Sequence, residues 1–260
     1  MNAWTQISID FANQRNYLDE LFKVYPTIPE GLRDIDQKKW IKVENAFHNG
    51  NTHELLKTLF AFDLFPIKDS YVAYLRRDKG AIERNPKTIQ RISSTLISMG
   101  LDEIYEKCSQ PKEANRQIGP MFRNWVRRGS LGFRLTTDKE EFITSKEDLI
   151  LDLNDDALMG FAKTNLNYHG NKGLDLVAKV NNKYIVVEAK FLTDFGGHQN
   201  AQFNDAIALV TNTQIRAITI AVLDGVPYIN GNNKMSKFVR NNDDYNIMSA
   251  LVLKEFLYQL

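Results

Sequence analysis

The stretch from Gly173 to Lys190, GLDLVAKVNNKYIVVEAK, constrains the fold more tightly than any other part of the chain. Two apolar runs flank Asn181-Asn182, and an Asn pair tolerates the positive φ that a two-residue hairpin loop demands. With those two residues as the loop, Val180 faces Lys183, and counting back sets Asp175 opposite Glu188. Side chains alternate between faces with period two. One face then carries Asp175, Val177, Lys179, Tyr184, Val186, Glu188 and Lys190. The reverse face carries Leu174, Leu176, Ala178, Ile185, Val187 and Ala189, all apolar. The expectation is a hairpin with one face packed and the other bearing chemistry.

Like charges directly opposite on a sheet repel unless something neutralises them. A divalent cation does so, and carboxylate oxygens suit Mg²⁺, which keeps several waters and takes one or two protein carboxylates. Lys190 follows Glu188 by two residues and points the same way. There it can orient or deprotonate a water, or steady charge on a phosphoryl transition state. A bare Glu-x-Lys is common on solvated strands. The pairing of Asp with Glu, the adjacent Lys and the apolar reverse face together favour a metal site.

Asp175, twelve intervening residues, then Glu188-Ala189-Lys190 resembles the PD-(D/E)xK nuclease motif, and the chain looks like a type II restriction endonuclease. Leu174 stands where the motif's name has proline. The firm resemblance spans 171–222, and residues 66–125 share the look of such enzymes without matching named positions. It implies a restriction-endonuclease-like α/β fold, with a mixed β-sheet core flanked by helices. It implies that Asp175, Glu188 and the Ala189 backbone carbonyl bind Mg²⁺ while Lys190 assists the attacking water.

The chain is long enough, at 260 residues, for one large domain or a core with a smaller lobe. No apolar run reaches membrane-spanning length, and the N-terminus lacks the pattern of a secretory signal, so a cytoplasmic protein with no membrane partner is expected. The single cysteine, Cys108, excludes an internal disulfide and reads as a buried thiol. His48, His53, His169 and His198 show no metal-ligand spacing. Net charge is +1, yet residues 1–130 hold 20 Lys and Arg against 16 Asp and Glu, and residues 131–260 hold 13 against 16. A nucleic-acid enzyme needs a local basic groove rather than a basic total, so charge decides nothing.

Along the chain, apolar spacing and capping residues predict helices over 9–25, 35–47, 52–62, 71–77, 87–99, 101–108 and 111–128. The second half changes character. A strand over 131–136, a helix from Asn154 to Leu166, the hairpin, and a helix from His198 to Val210 come in turn. A buried strand over 215–223, an edge strand over 226–229 and a closing helix over 245–260 complete an α/β order. The expected division is a helical lobe for recognition or dimerisation over 1–110 and a nuclease core over 111–260.

Beside the hairpin lies FLTDFGGHQNAQFN, residues 191–204, which leaves the sheet one residue after Lys190. Glycines permit close approach, a helix N-terminus favours phosphate, and Gln and Asn pair with adenine. His198, Gln199, Asn200, Gln202 and Asn204 are therefore candidate DNA contacts, against the plainer reading of a polar helix face. Lys172 precedes the hairpin, and Arg123 and Arg127 share a helical face, so these three are candidate phosphate contacts. Arg76-Arg77-Asp78-Lys79 and Arg116 are further basic positions. Glu113, Asp155 and Asp156 are candidates for an additional carboxylate, although capping and first-turn placement explain them.

The expected function is Mg²⁺-dependent, sequence-specific hydrolysis of double-stranded DNA by a homodimer, since both strands of a near-palindromic site need cutting. The sequence leaves open a structure-specific or repair nuclease of the same fold, a non-catalytic DNA-binding protein, and an unrelated α/β protein.

Overall fold

A computed structural model describes residues 1–26, 34–78, 80–110 and 118–260. Lys79, Glu113 and Arg116 lie outside them. By their internal contacts the residues form two compact units, Met1–Thr27 with Glu113–Leu260, and Ile28–Lys112. The first 27 residues thus join the second half of the chain, a boundary different from 110/111. No helix among the described residues is long and apolar enough to cross a membrane.

The Ile28–Lys112 unit is helical: α3 (Gln37–His48), α4 (Thr52–Leu59), α5 (Val72–Arg77), α6 (Ala81–Arg84) and α7 (Pro86–Cys108). Asp36 and Asn51 cap α3 and α4 by accepting backbone N–H bonds. Gly100, at φ +78° and ψ 163°, breaks α7 into the two helical pieces its position suggests. Trp40, Leu56, Leu59, Ile92 and Leu96 fill the core. Cys108 is buried there, and burial pushes its thiol up to about 11, which leaves it an unreactive apolar group at neutral pH. Arg76 is an anchor, donating to the Phe62 carbonyl at 2.7 Å and that of Asp63 at 3.3 Å.

In the larger unit, α1 (Ala3–Ala12), α2 (Tyr17–Val24), α8 (Ile118–Arg127), α9 (Lys139–Thr144), α10 (Asp155–Asn165), α11 (Gly197–Val210), α12 (Lys234–Arg240) and α13 (Ala250–Tyr258) flank a sheet. Its strands are β1 (Arg134–Thr136), β2 (Leu149–Leu151), β3 (Leu176–Val180), β4 (Lys183–Leu192), β5 (Ile218–Gly225) and β6 (Asn246–Met248), in that spatial order. The central pairs β2–β3 and β3–β4 are antiparallel, and β1–β2, β4–β5 and β5–β6 are parallel. The mixed sheet with helices on both faces is the restriction-endonuclease-like α/β architecture.

The hairpin forms as its loop residues dictate, with Asn181 at φ +48° and Asn182 at φ +59°, and Val180 pairs with Lys183. Both of its faces pack, however, which corrects the expectation of one chemical face. Leu176, Ala178, Ile185, Val187 and Ala189 join a core with Phe122 of α8 and Leu253 of α13. Val177 and Val186 join a second core with Phe142, Leu158 and Phe161 from α9 and α10. A central strand covered by helices on both sides is apolar on both sides. Lys179, on the face expected to be chemical, is buried instead, and its ammonium donates to the Ile143 and Ser145 carbonyls at the end of α9.

Some expected elements differ. Residues 9–25 form two helices with a break after Ala12, and 226–229 begins as a 3₁₀ turn, Val226–Tyr228, because Pro227 has no N–H for a ladder. The helix over 245–260 gives its first residues to β6 and starts at Ala250. Short β2, β6, α9 and α12 carry too few residues to show a period.

Asp224, at the end of β5, explains why the N-terminus belongs with the sheet. Its carboxylate is fully buried and accepts from Tyr25 Oη at 3.0 Å, Tyr17 Oη at 3.4 Å, Ser249 Oγ at 2.5 Å and Ala250 N at 3.2 Å. Burial still raises its pKa to about 7, because none of these donors is a cation. Asp224→Ala strands several buried hydroxyls and is expected to cost about 2–4 kcal/mol in urea unfolding. A loss below about 0.5 kcal/mol would show that the network holds nothing in place.

Candidate active site

The hairpin register runs without fault to Leu176, which pairs with Val187. Asp175 then donates its N–H to the Val187 carbonyl at 3.1 Å, one residue out of step. This is the hydrogen bonding of a β-bulge, which adds a residue and re-aims a side chain. Asp175 therefore does not sit squarely opposite Glu188, as strict alternation predicted. The same slip carries Leu174 into the core with Val177 and Val186, away from its expected face. The bulge turns the Asp175 carboxylate so that Oδ2 accepts from Ala189 N at 2.9 Å.

Asp175, Glu188 and Lys190 nonetheless converge. Lys190 Nζ lies 2.5 Å from Glu188 Oε1 and 3.7 Å from Asp175 Oδ2. Burial raises the pKa of Asp175, against the lowering influence of Lys190, the Ala189 N–H and Arg123. Burial and the neighbouring Asp175 charge raise Glu188 to about 7. For Lys190, burial works downward, but the charges of Asp175 and Glu188 together outweigh it and hold the amine protonated. Two buried carboxylates share one fully committed lysine. Arg123, the next cation within reach of Asp175, is divided with Asp155, so the pair is short of undivided positive charge.

That shortage tests the site for a divalent cation. Among the described residues no group of three or more His, Cys, Asp or Glu side chains is placed to hold an ion. Two carboxylates and a backbone carbonyl suit a hard cation that keeps much of its water, so the donor set fits Mg²⁺.

A cavity of about 310 Å³ opens beside Glu188, lined among others by Tyr168, Lys172 and Asp205. Asp205, from α11, adds to the negative field on Glu188 and Lys190. Sequence reading missed it, since one Asp on a polar helix gives no signal until the helix is docked. Lys172 is exposed and ion-paired to Asp205. Arg127 donates to Asp152 Oδ1 at 2.8 Å. Arg123 reaches Asp155 and also lies 3.4 Å from Asp175 Oδ1.

The segment after Lys190 divides by role. Gln199 is buried, with Oε1 accepting from Thr193 N at 3.1 Å and Nε2 donating to Thr193 Oγ1 at 3.2 Å. Its amide shapes the loop rather than facing outward. His198 and Asn204 are exposed, Gln202 is half-buried with its amide 3.3 Å from His198 Nε2, and Asn200 donates to the Phe195 carbonyl at 2.8 Å. Asp156 is exposed in the first turn of α10, where Asn154 supplies the cap.

The sequence model of the Tsp45I type II restriction enzyme family matches residues 2–260. The chain belongs to this family. A Tsp45I-family restriction enzyme is a site-specific deoxyribonuclease, and the match extends over nearly the whole chain. No curated protein and no solved structure matches the chain.

Proposed function

We propose that this restriction enzyme hydrolyses double-stranded DNA with Mg²⁺ at Asp175, Glu188 and the Ala189 backbone carbonyl, and that Lys190 completes the catalytic set. The observation that carries the reading is the convergence of two buried carboxylates on one lysine, 2.5 Å from Glu188 and 3.7 Å from Asp175. A bound divalent cation supplies charge stabilisation at the scissile phosphodiester. Asp175 is oriented for that ion by the Ala189 N–H. Lys190, held protonated by its two carboxylates, acts as a cation rather than a base. Its N–H groups orient the attacking water and stabilise the charge that grows on the phosphoryl oxygens.

Arg127 and Lys172 are the proposed phosphate contacts, each exchanging a carboxylate partner for DNA, while Arg123 stays with the two carboxylates it bridges. His198, Asn200, Gln202 and Asn204 are proposed to face the duplex from α11, with Gln199 holding the loop they stand on. A cytoplasmic homodimer, with the helical region ahead of the core for dimerisation or recognition, matches the need to cut both strands. The test is digestion of long unmethylated duplex DNA with Mg²⁺ or with EDTA. Discrete fragments with Mg²⁺ and none with EDTA are expected. Fragments in EDTA, or a smear with Mg²⁺, would contradict the reading.

A further inference from the structure

Arg123 touches two carboxylates with one nitrogen. Its Nη1 is paired to Asp155 Oδ1 and lies 3.4 Å from Asp175 Oδ1. The two acids are unequal: the Asp175 side chain is 10% exposed and that of Asp155 is 49% exposed. A half-exposed ion pair contributes little to stability, whereas a buried carboxylate needs a compensating charge. The closer tie to Asp155 is therefore not a strong stabilising device, and the looser one, to Asp175, is where the charge is needed.

The packing is arranged for this bridge. A Cβ at Gly119, on α8, would stand 3.0 Å from Asp175 Oδ1. A Cβ at Gly173 would stand 2.4 Å from Asp155 Cβ. Neither glycine has a positive φ, so both serve close approach. Gly119 and Arg123 are four apart on α8 and share its face toward Asp175. The remaining donors divide cleanly. Oδ2 of Asp175 takes the Ala189 N–H and faces Lys190, and Lys190 is closest to Glu188. Arg123 serves Oδ1.

We propose that Arg123 is the resident counter-ion of Asp175 in the cation-free enzyme, and that Asp155 is the station that keeps it when a divalent cation takes Oδ1. The proposal rests on the reading of Asp175 and Glu188 as cation ligands. Arg123 and the ion compete for one oxygen, so arginine opposes binding, and Asp155 favours binding by drawing the arginine off. Asp155 is thus a positioning residue that acts through Arg123.

The test is Mn²⁺ binding by isothermal titration calorimetry, without DNA, on the wild-type enzyme, Arg123→Met, Asp155→Asn, the double variant and Asp175→Asn. Arg123→Met is expected to bind about tenfold more tightly, and Asp155→Asn severalfold more weakly, as one unit charge near the ion is removed or unmasked. The double variant should match Arg123→Met, because Asp155 has nothing to hold once the arginine is gone. Unchanged or weaker binding in Arg123→Met overturns the proposal. So does a weakening by Asp155→Asn that persists without the arginine, which would make Asp155 itself a ligand. Asp175→Asn separates the two readings: loss of binding there supports the underlying site whatever Arg123 does, and full retention removes both. Thermal unfolding without metal checks that each variant folds, and Arg123→Gln replaces Arg123→Met if that variant does not.

Discussion

Lys190→Ala is expected to slow DNA cleavage by about 10²–10³-fold, the usual effect of losing one donor that stabilises transition-state charge. Retained DNA binding in a gel-shift assay and an unchanged circular dichroism spectrum would accompany that loss. The side chain lies at the end of the hairpin, with its ammonium against Glu188 and Asp175, and none of the sheet's apolar packing depends on it. Removing it leaves two buried carboxylates without their shared cation, so the metal-free variant should also be less stable. Mg²⁺ should restore part of that stability by binding the folded state. Cleavage at the wild-type rate would remove Lys190 from the catalytic set.

Cleavage should also rise steeply with pH up to neutrality. Glu188 titrates near 7, and its protonated form cannot hold a cation. Below about pH 7 the rate at limiting Mg²⁺ is expected to fall about tenfold per pH unit. More Mg²⁺ should move the inflection to lower pH, since ion and proton compete for one carboxylate. An inflection that ignores Mg²⁺ would assign it elsewhere. The stability of the metal-free protein runs in the opposite direction. Folding raises Glu188 from 4.5 to about 7 and Asp224 from 3.8 to about 7. The unfolded chain therefore loses these protons first. The stabilisation is complete below about pH 4 and is lost as pH rises to about 7. Saturating Mg²⁺ should flatten the part due to Glu188 and leave the part due to Asp224.

The hairpin was legible because its signals are local. Asn181-Asn182 fixes the loop, and the loop fixes the register of the residues that follow. Alternation failed at Asp175, where the bulge adds a residue, and no sequence rule announces a bulge at an aspartate. The covered outer face of the hairpin was hidden for a different reason: α9 and β2 are too short to be read, and α10 had no visible destination until the sheet was assembled. Arg123 was visible as a basic residue on a helix, but its place between Asp155 and Asp175 depends on how α8 and α10 meet the bulge. Asp224 gave no sign at all. Its partners Tyr17 and Tyr25 lie about two hundred residues away in sequence, and only tertiary structure joins them.

Anomalous diffraction from crystals loaded with Mn²⁺ locates the ion without reference to rate. A peak is expected about 2.1–2.3 Å from oxygens of Asp175 and Glu188 and from the Ala189 carbonyl oxygen, with waters completing the shell. A fully loaded ion bound elsewhere, with Asp175 and Glu188 still gripping only Lys190 and Arg123, would contradict that placement.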